Sequence, residues 1–319
     1  MASRLGTHPS QAAAEVAHVP DLSIVLVCWN NKDYLEPCLR SLFEAGLRHR
    51  FDVVVVDNGS TDGSQAIVRE AFPQVELIQN DHNAGLSRAS NQGMAATSGR
   101  YVLLLNNDTL VNGASLDALV AFLDATPDAG AAGGRLLNPD GTFQAGYADF
   151  STLHEEFLMA TGLGERLWPG YPSHLDPADV KAGGWLSSAC LLLRRDALAQ
   201  VGLLDEQYFI YGDETDLQYR LQHAGWKVYY LPAVTTIHYG GRSMDRWRRR
   251  KMVYRGKLLF YRKHYGSPRT AALRLMFAVL SLAKTLWWCV ALAAPWRRER
   301  ARREIHSNLD VIRLCVKLV

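Results

Sequence analysis

Cysteine is scarce and scattered in this sequence. Its five cysteines, Cys28, Cys38, Cys190, Cys289 and Cys315, form no Cys-x-x-Cys pair and no zinc-finger spacing, which argues against a zinc module or a disulfide framework. Their hydrophobic neighbours mark them as reduced core thiols, the state expected of a cytosolic chain. No strand-like run leads into G-x-G-x-x-G, and G-x-x-x-x-G-K-[S/T] is absent; dinucleotide dehydrogenases and P-loop NTPases are disfavoured on that ground. No period of 20–50 residues repeats. Residues 1–20 are rich in Ala and lack the apolar stretch of a secretion signal, so a disordered lead-in is expected there.

Net charge is also low, at +3, but it is unevenly spread. Between Gly241 and Glu304 there are 18 Lys/Arg against 3 Asp/Glu, a balance of +15, while the rest carries 17 against 29, or −12. A mildly acidic body is joined to a basic tail, and such a tail favours an anionic partner.

What the sequence does have is a series of short, nearly continuous apolar runs: LSIVLVC (22–28), FDVVVV (51–56), VELI (75–78) and YVLLL (101–105). Runs of this kind suit strands covered on both faces. Helical spacing fills the intervals at about 33–45, 63–72, 86–97 and 113–125. The alternation predicts an α/β fold with a doubly wound, mostly parallel sheet. The pattern breaks over 139–182, where Gly, Pro and aromatics suggest a substrate-facing insertion. It resumes with GGWLSSACLLLRRDAL and a helix near 213–225.

Each apolar run ends in polar residues: Cys28-Trp29-Asn30, then DNGSTDGS, then QNDHNAGLSRASNQG, then Asn106-Asn107-Asp108. Any single tip, Asp62 or Ser64 for example, is explained as a helix cap. Four in succession on one rim point instead to a ligand at the carboxyl ends of the strands. A carboxylate such as Asp57, beside exposed backbone N–H groups, complements the donor and acceptor pattern of a pyrimidine dione. Asp108 can bind a diphosphate only through a divalent cation, Mg²⁺ or Mn²⁺.

The stretches SIVLVCWNNKDYLEPCLRSL, VVVVDNGSTDGS, NAGLSRASNQGMAATSGRYVLLLNND and GLLDEQYFIYGDETDLQYRLQHAGWKVYYLP resemble, in order, the motifs of the family 2 glycosyltransferases. The subset they are most similar to is that of bacterial rhamnosyltransferase-like enzymes of cell-surface polysaccharide synthesis. The resemblance implies a GT-A, Rossmann-like domain over 21–243, with 139–182 on the acceptor side, and inversion at the sugar anomeric carbon. It implies a nucleotide site at Cys28, Trp29, Asn30, Asp57, Asn83, Gly85, Asn106 and Asn107, with Asp57 on the base. It implies metal ligands at Asp108 and His238. Asn106 stands where many members carry Asp, so one ligand charge is missing.

The family's Glu-Asp pair is reversed here as Asp213-Glu214. The resemblance aligns Glu214 with the catalytic base, keeps Asp213 as its rival and places Asp216 behind them. All three carboxylates also suit a helix start, as caps or against its dipole.

The tail, 244–319, is expected as a helical appendage. Arg274 and Lys284 interrupt its apolar run, leaving 9 residues between them and 12 from Thr285 to Trp296. Those lengths suit a helix lying on an anionic membrane surface better than one crossing it; packing on the core is the other reading. No nucleic-acid motif accompanies the charge, so nucleic acid is not an expected partner.

The expected activity is transfer of a sugar from a UDP- or dTDP-sugar to a growing glycan or a polyprenyl-diphosphate-linked acceptor. The expected location is cytoplasmic, on the inner face of the membrane. The alternative is a non-catalytic sugar-nucleotide or glycan-binding protein on the same fold, favoured by Asn106 and the reversed acidic pair.

Overall fold

The computed structural model describes residues 19–240 and 245–317; all but the last two residues of the expected 1–20 lead-in, and the expected domain boundary at 243, lie outside them. The chain opens with β1 (Leu22–Cys28), α1 (Lys32–Glu44), β2 (Phe51–Asp57), α2 (Ser64–Ala71), β3 (Glu76–Gln79), α3 (Leu86–Ala96) and β4 (Tyr101–Asn106). It continues through β5 (Thr109–Leu110), α4 (Gly113–Ala125), β6 (Ala129–Leu137), β7 (Phe143–Gln144) and β8 (Tyr147–Ala148). Then come α5 (Leu153–Thr161), α6 (Leu163–Leu167), β9 (Lys181–Ala182), β10 (Trp185–Leu186), β11 (Cys190–Arg194) and α7 (Arg195–Val201). The last elements are α8 (Asp213–His223), β12 (Lys227–His238), α9 (Arg246–His264), α10 (Gly266–Ala291) and α11 (Arg298–Val316).

The main sheet runs β3-β2-β1-β4-β11-β6-β12-β5. Strands β1 to β4 are mutually parallel where they pair, β11 is antiparallel to both neighbours, and β12 is parallel to β6. The chain winds from β1 out to β3, then crosses back to place β4 on the other side of β1. That reversal opens a crevice at the carboxyl ends of β1 and β4.

Alternation along the strands divides the core. Ile24 and Leu26 of β1 pack with Leu35, Leu39 and Leu42 of α1 and Leu119 of α4. Val25 faces the other way, into a cluster with Met94, Leu217 and Leu221. Burial on both faces is why these strands read as unbroken apolar runs rather than alternating ones.

The 139–182 segment is more ordered than its composition suggests. Thr152 caps α5 through the Glu155 N–H, and the Glu155 carboxylate reaches back to the Thr152 N–H, a reciprocal capping box. Nor is the tail detached. Ala160 of α5, Leu258 and Phe260 of α9, Phe277 of α10 and Val311 of α11 form one apolar cluster, with Tyr219 of α8 against it.

The two charges expected to interrupt the tail's apolar run do not break it. Both lie within the continuous 26-residue α10 and turn inward. Arg274 Nε donates to the Cys315 carbonyl at 2.7 Å, and Lys284 Nζ donates to the Ala160 carbonyl. Each cation thereby satisfies a carbonyl at the end of another helix.

Candidate active site

Strand register aligns the polar tips. Cys28 pairs with Asp57, Val27 with Asn106, and Asp57 with Gln79, so the expected nucleotide and metal residues share one rim. Above it lies a cleft of about 630 Å³. Trp29, Asn83, Asn106, Asn107, Asp108, Asp213, Glu214 and His238 all line it.

The remaining expected residues lie outside the cleft wall. Cys28 is fully buried among α1 and β2 side chains. Asn30 joins two loops, its N–H donating to Ser60 Oγ at 2.9 Å and its Oδ1 accepting from the Thr61 N–H at 2.7 Å. Gly85 has φ +93°, and a Cβ there would sit 2.9 Å from the Phe209 ring and carbonyl oxygen. Glycine is required at that point because the 204–212 loop lies against the start of α3, with Leu86 N–H donating to the Phe209 carbonyl at 2.7 Å. Asp216 lies behind the wall as well.

Asp57 is one layer below the surface, 1% exposed. Its Oδ2 accepts from the Ser60 N–H at 3.1 Å and from Gln65 Nε2 at 2.8 Å. Its Oδ1 is buried with no partner. A buried acceptor left open costs free energy unless a donor fills it, and the imide N–H of a pyrimidine is such a donor. Asp57→Ala is therefore expected to weaken binding of the free nucleoside diphosphate by about 1.5–3 kcal/mol, the value of a hydrogen bond to a charged group. Calorimetry with UDP and dTDP measures it. Unaltered affinity for both would leave Asp57 a turn-forming residue only.

At the tip of β4, His238 Nε2 stands 3.2 Å from Asp108 Oδ1 and 3.2 Å from Asn106 Nδ2. Its Nδ1 meets Gln144 Oε1 at 2.6 Å, while Gln144 Nε2 donates to the His238 carbonyl at 2.8 Å and to Asn138 Oδ1 at 2.9 Å. Those two donor bonds orient the amide so that its oxygen faces the ring and accepts from Nδ1, which leaves Nε2 turned toward Asp108 and Asn106. A carboxylate oxygen and an imidazole nitrogen converging in this way suit a divalent cation. The donor set fits Mg²⁺ or Mn²⁺ only in part. Among the described residues no group of three His, Cys, Asp or Glu side chains could hold a metal, so further ligands must come from diphosphate and water.

Gln144 is absent from the sequence-level expectations because β7 brings it across 94 residues. Asn58 and Ser187–Ser188, which also line the cleft, carry no comparable signal, although Asn58 follows Asp57 directly. Its side chain accepts from the Ala84 N–H at 3.0 Å and donates to Asn83 Oδ1 at 3.1 Å, fastening the Asn83 loop.

Asp213 and Glu214 begin α8 immediately after Gly212, whose φ of +95° makes the sharp turn into the helix. Asp213 is 1% exposed and its Oδ1 has no partner. Burial raises its pKa. Glu214 is pushed well above the usual carboxylate range, by burial first and then by the adjacent Asp213 charge. A base poised closer to neutrality suits proton abstraction from a hydroxyl.

One turn on, burial opposes ionisation of Asp216, but His264, Lys263 and Arg220 overcome it and hold the carboxyl far below its ordinary value. The bonds are 2.8 Å to His264 Nε2, 2.5 Å to Lys263 Nζ and 2.9 Å to Arg220 Nε. Asp216 thus bolts α9 to α8. Nearby, Gly256 of α9 lies directly against the Tyr211 carbonyl, where a Cβ would collide. The tail helix buttresses the turn that presents Glu214.

A family model described as glycosyl transferase family 2 matches residues 23–202. The N-acetylglucosaminyl-diphospho-decaprenol L-rhamnosyltransferase of Mycobacterium tuberculosis is 34% identical over 243 residues, covering 70% of this chain and 78% of the relative. Among solved structures, a mannosyltransferase from Pyrobaculum calidifontis in complex with GDP-Man and Mn²⁺ superposes with a TM-score of 0.56 at 16% identity, covering 94% of this chain and 87% of that one. GalNAc-T7 with UDP, GalNAc and Mn²⁺ gives 0.53 at 16% identity, over 77% and 50%. At such identity the solved structures speak for the GT-A fold alone. The motifs, the family match and the rhamnosyltransferase relative together establish that the chain belongs to the family 2 glycosyltransferases.

Proposed function

We propose that this glycosyltransferase inverts configuration while moving a deoxyhexose, rhamnose first among the candidates, from a dTDP- or UDP-sugar to a sugar carried on a polyprenyl diphosphate. One observation carries the reading. Glu214 lies on the wall between the donor cleft and a second cavity of about 420 Å³, whereas Asp213 lines only the cleft. A base standing between two cavities can take a proton from a hydroxyl presented in one as that oxygen attacks a carbon held in the other. The identity of the acceptor draws on the rhamnosyltransferase relative.

Asp57, with Asn58 and Asn83 beside it, holds the nucleoside. Asp108 and His238 would hold the divalent cation, which when bound supplies positive charge to the donor diphosphate. Glu214, ionised, accepts the acceptor hydroxyl proton. Transfer assays with dTDP-rhamnose and UDP-sugars, a short-chain polyprenyl-diphospho-N-acetylglucosamine and Mg²⁺ or Mn²⁺ test this. The expected product is one sugar longer, with inverted anomeric configuration. Retained configuration, or donor hydrolysis without transfer, would overturn the reading.

The tail supports action at an anionic membrane surface. Among the described residues α10 alone is long and apolar enough to cross a bilayer, by length and composition. One side of it, with Leu273, Phe277, Ser281 and Thr285, is buried against the protein. The other exposes Leu275, Val279, Leu282, Leu286 and Val290 at helical spacing, all more than half exposed. A helix holding a charged protein on one flank and water on the other suits the interface, not a span. Trp296 is 82% exposed, and Arg297, Arg298 and Arg300 are exposed beside it, an aromatic and cationic fringe for anionic headgroups. Phe157, Leu163, Leu167 and Trp168 of the α5–α6 region are also exposed, and α5 packs on α10.

Vesicles containing phosphatidylglycerol are expected to pellet the protein, and neutral vesicles much less. The double variant Val279→Glu/Leu286→Glu is expected to lose binding by about 100-fold or more, since each site forfeits about 1.5–3 kcal/mol of apolar burial. Undiminished pelleting would remove α10 from the membrane contact.

A further inference from the structure

The second cavity and the donor cleft share Ser173, Trp185, Tyr211, Glu214 and Arg249. Arg249 is one of four arginines of α9, with Arg248, Arg255 and Arg262, that have no carboxylate partner among the described residues, and of these it alone lines both cavities. Arg250 pairs with Glu304 at 2.8 Å, Lys251 with Asp310 at 3.4 Å, Lys257 with Glu156 at 2.7 Å, and Lys263 with Asp205 and Asp216 at 2.6 and 2.5 Å. Among the described residues no carboxylate pairs with Arg249. Its guanidinium lies 5.5 Å from the centre of the Tyr211 ring, a contact that holds the planar fork in place. It also sits in the first turn of α9, where the helix dipole disfavours a cation. A cation placed against the dipole, held by an aromatic face and aimed at a cavity junction is suited to an anion arriving from outside.

Two diphosphates can reach that junction, one on the donor and one on the acceptor. The donor's is provided for by Asp108 and His238, which, like Arg248, line the donor cleft but not the second cavity. The second cavity leads the other way. Its walls include Met159 and Ala160 of α5 and Phe277 of α10; α10 carries the row of exposed apolar side chains, and α5 exposes Phe157 beside it.

We propose that the second cavity seats the acceptor's sugar and that Arg249 binds the diphosphate joining that sugar to its lipid, which leaves along α5 and α10. The assignment rests on the reading that the acceptor carries a diphosphate. No bond is made or broken at Arg249; its role is binding.

Steady-state kinetics of Arg249→Gln and Arg249→Lys test it with two acceptors, polyprenyl-diphospho-N-acetylglucosamine and an alkyl glycoside of the same sugar. The glutamine variant should raise KM for the diphosphate acceptor by about 10- to 100-fold. The lysine variant should fall between it and the wild type, keeping charge but losing the fork. KM for the glycoside and for the donor should shift by less than about threefold, which also reports that the variant is folded. A raised donor KM with an unmoved acceptor KM would assign Arg249 to the donor's diphosphate and overturn the proposal. Equal loss with both acceptors would overturn it too. A wild-type enzyme that uses only the glycoside would overturn the underlying reading and the assignment with it. Use of the diphosphate acceptor with no effect of Arg249→Gln would overturn the assignment alone.

Discussion

Glu214→Gln is expected to lower turnover by about 10²–10⁴ at saturating donor, the scale of a positioned general base, while nucleotide binding survives. Glutamine keeps the size of the side chain and can still accept the hydrogen bond from the Gly212 N–H, 3.3 Å from Glu214 Oε2. It cannot take a proton. Asp213→Asn should cost less, since Asp213 faces the donor cleft only. A near-normal Glu214→Gln beside an inactive Asp213→Asn would move the base one residue earlier.

The same substitution has a pH signature. Burial and the Asp213 charge raise the Glu214 pKa above its ordinary value, so the base becomes competent only as pH rises through that higher value. The acidic limb of kcat/KM should therefore lie above the range of an ordinary glutamate, and any residual activity of Glu214→Gln should lack that limb. Stability runs the opposite way. A carboxyl whose folded pKa is raised contributes fully below its unfolded pKa, and that contribution is lost as pH rises through the folded one. The glutamine variant escapes the loss, so at neutral pH it should have a higher Tm than the wild type. A less stable Glu214→Gln would mean that the ionised carboxylate is held favourably and is not strained toward proton uptake.

The parallel half of the sheet was legible because burial on both faces leaves unbroken apolar runs, and because the polar tips of β1 to β4 fall on one rim once register is set. The places of Asp108, Asp213 and Glu214 on the cleft wall were legible for a similarly local reason, since they follow a strand or begin a helix. What was hidden depends on distance along the chain. β6 reads AGAAGGRLL, with too little side chain to declare a strand. Its glycines are needed because a Cβ on Gly130 would meet Trp226 and one on Gly134 would meet Val234. Gln144 reaches His238 across 94 residues, and Lys263 reaches Asp216 across 47. The inward turn of Arg274 and Lys284 depends on carbonyls at the ends of α11 and α5, so a linear count of apolar residues could not reveal one continuous helix.

Asp108→Ala is expected to weaken metal-supported nucleotide binding by more than about 100-fold. Outer hydrogen-bond partners of metal ligands typically cost 10–100-fold when removed, and Asp108 is itself one of the two protein groups converging at the rim. With so few protein donors, metal and nucleotide should depend on each other. Mn²⁺ alone should bind the wild type weakly, and a nucleoside diphosphate should bind it far better with Mn²⁺ than with chelator present, because linkage is reciprocal. In Asp108→Ala both effects should collapse together, leaving only the metal-independent affinity contributed around Asp57. Gln144→Leu, which frees the His238 ring without removing a ligand, should retain the coupling at 10–100-fold lower Mn²⁺ affinity. Calorimetric titration of the diphosphate into wild type and both variants, with Mn²⁺ and with chelator, measures all of these. An Asp108→Ala protein whose affinity still rises on adding Mn²⁺ by the wild-type factor would place the cation elsewhere. The neutral Asn106 would then be no weakening of the site, because Asp108 would never have carried it.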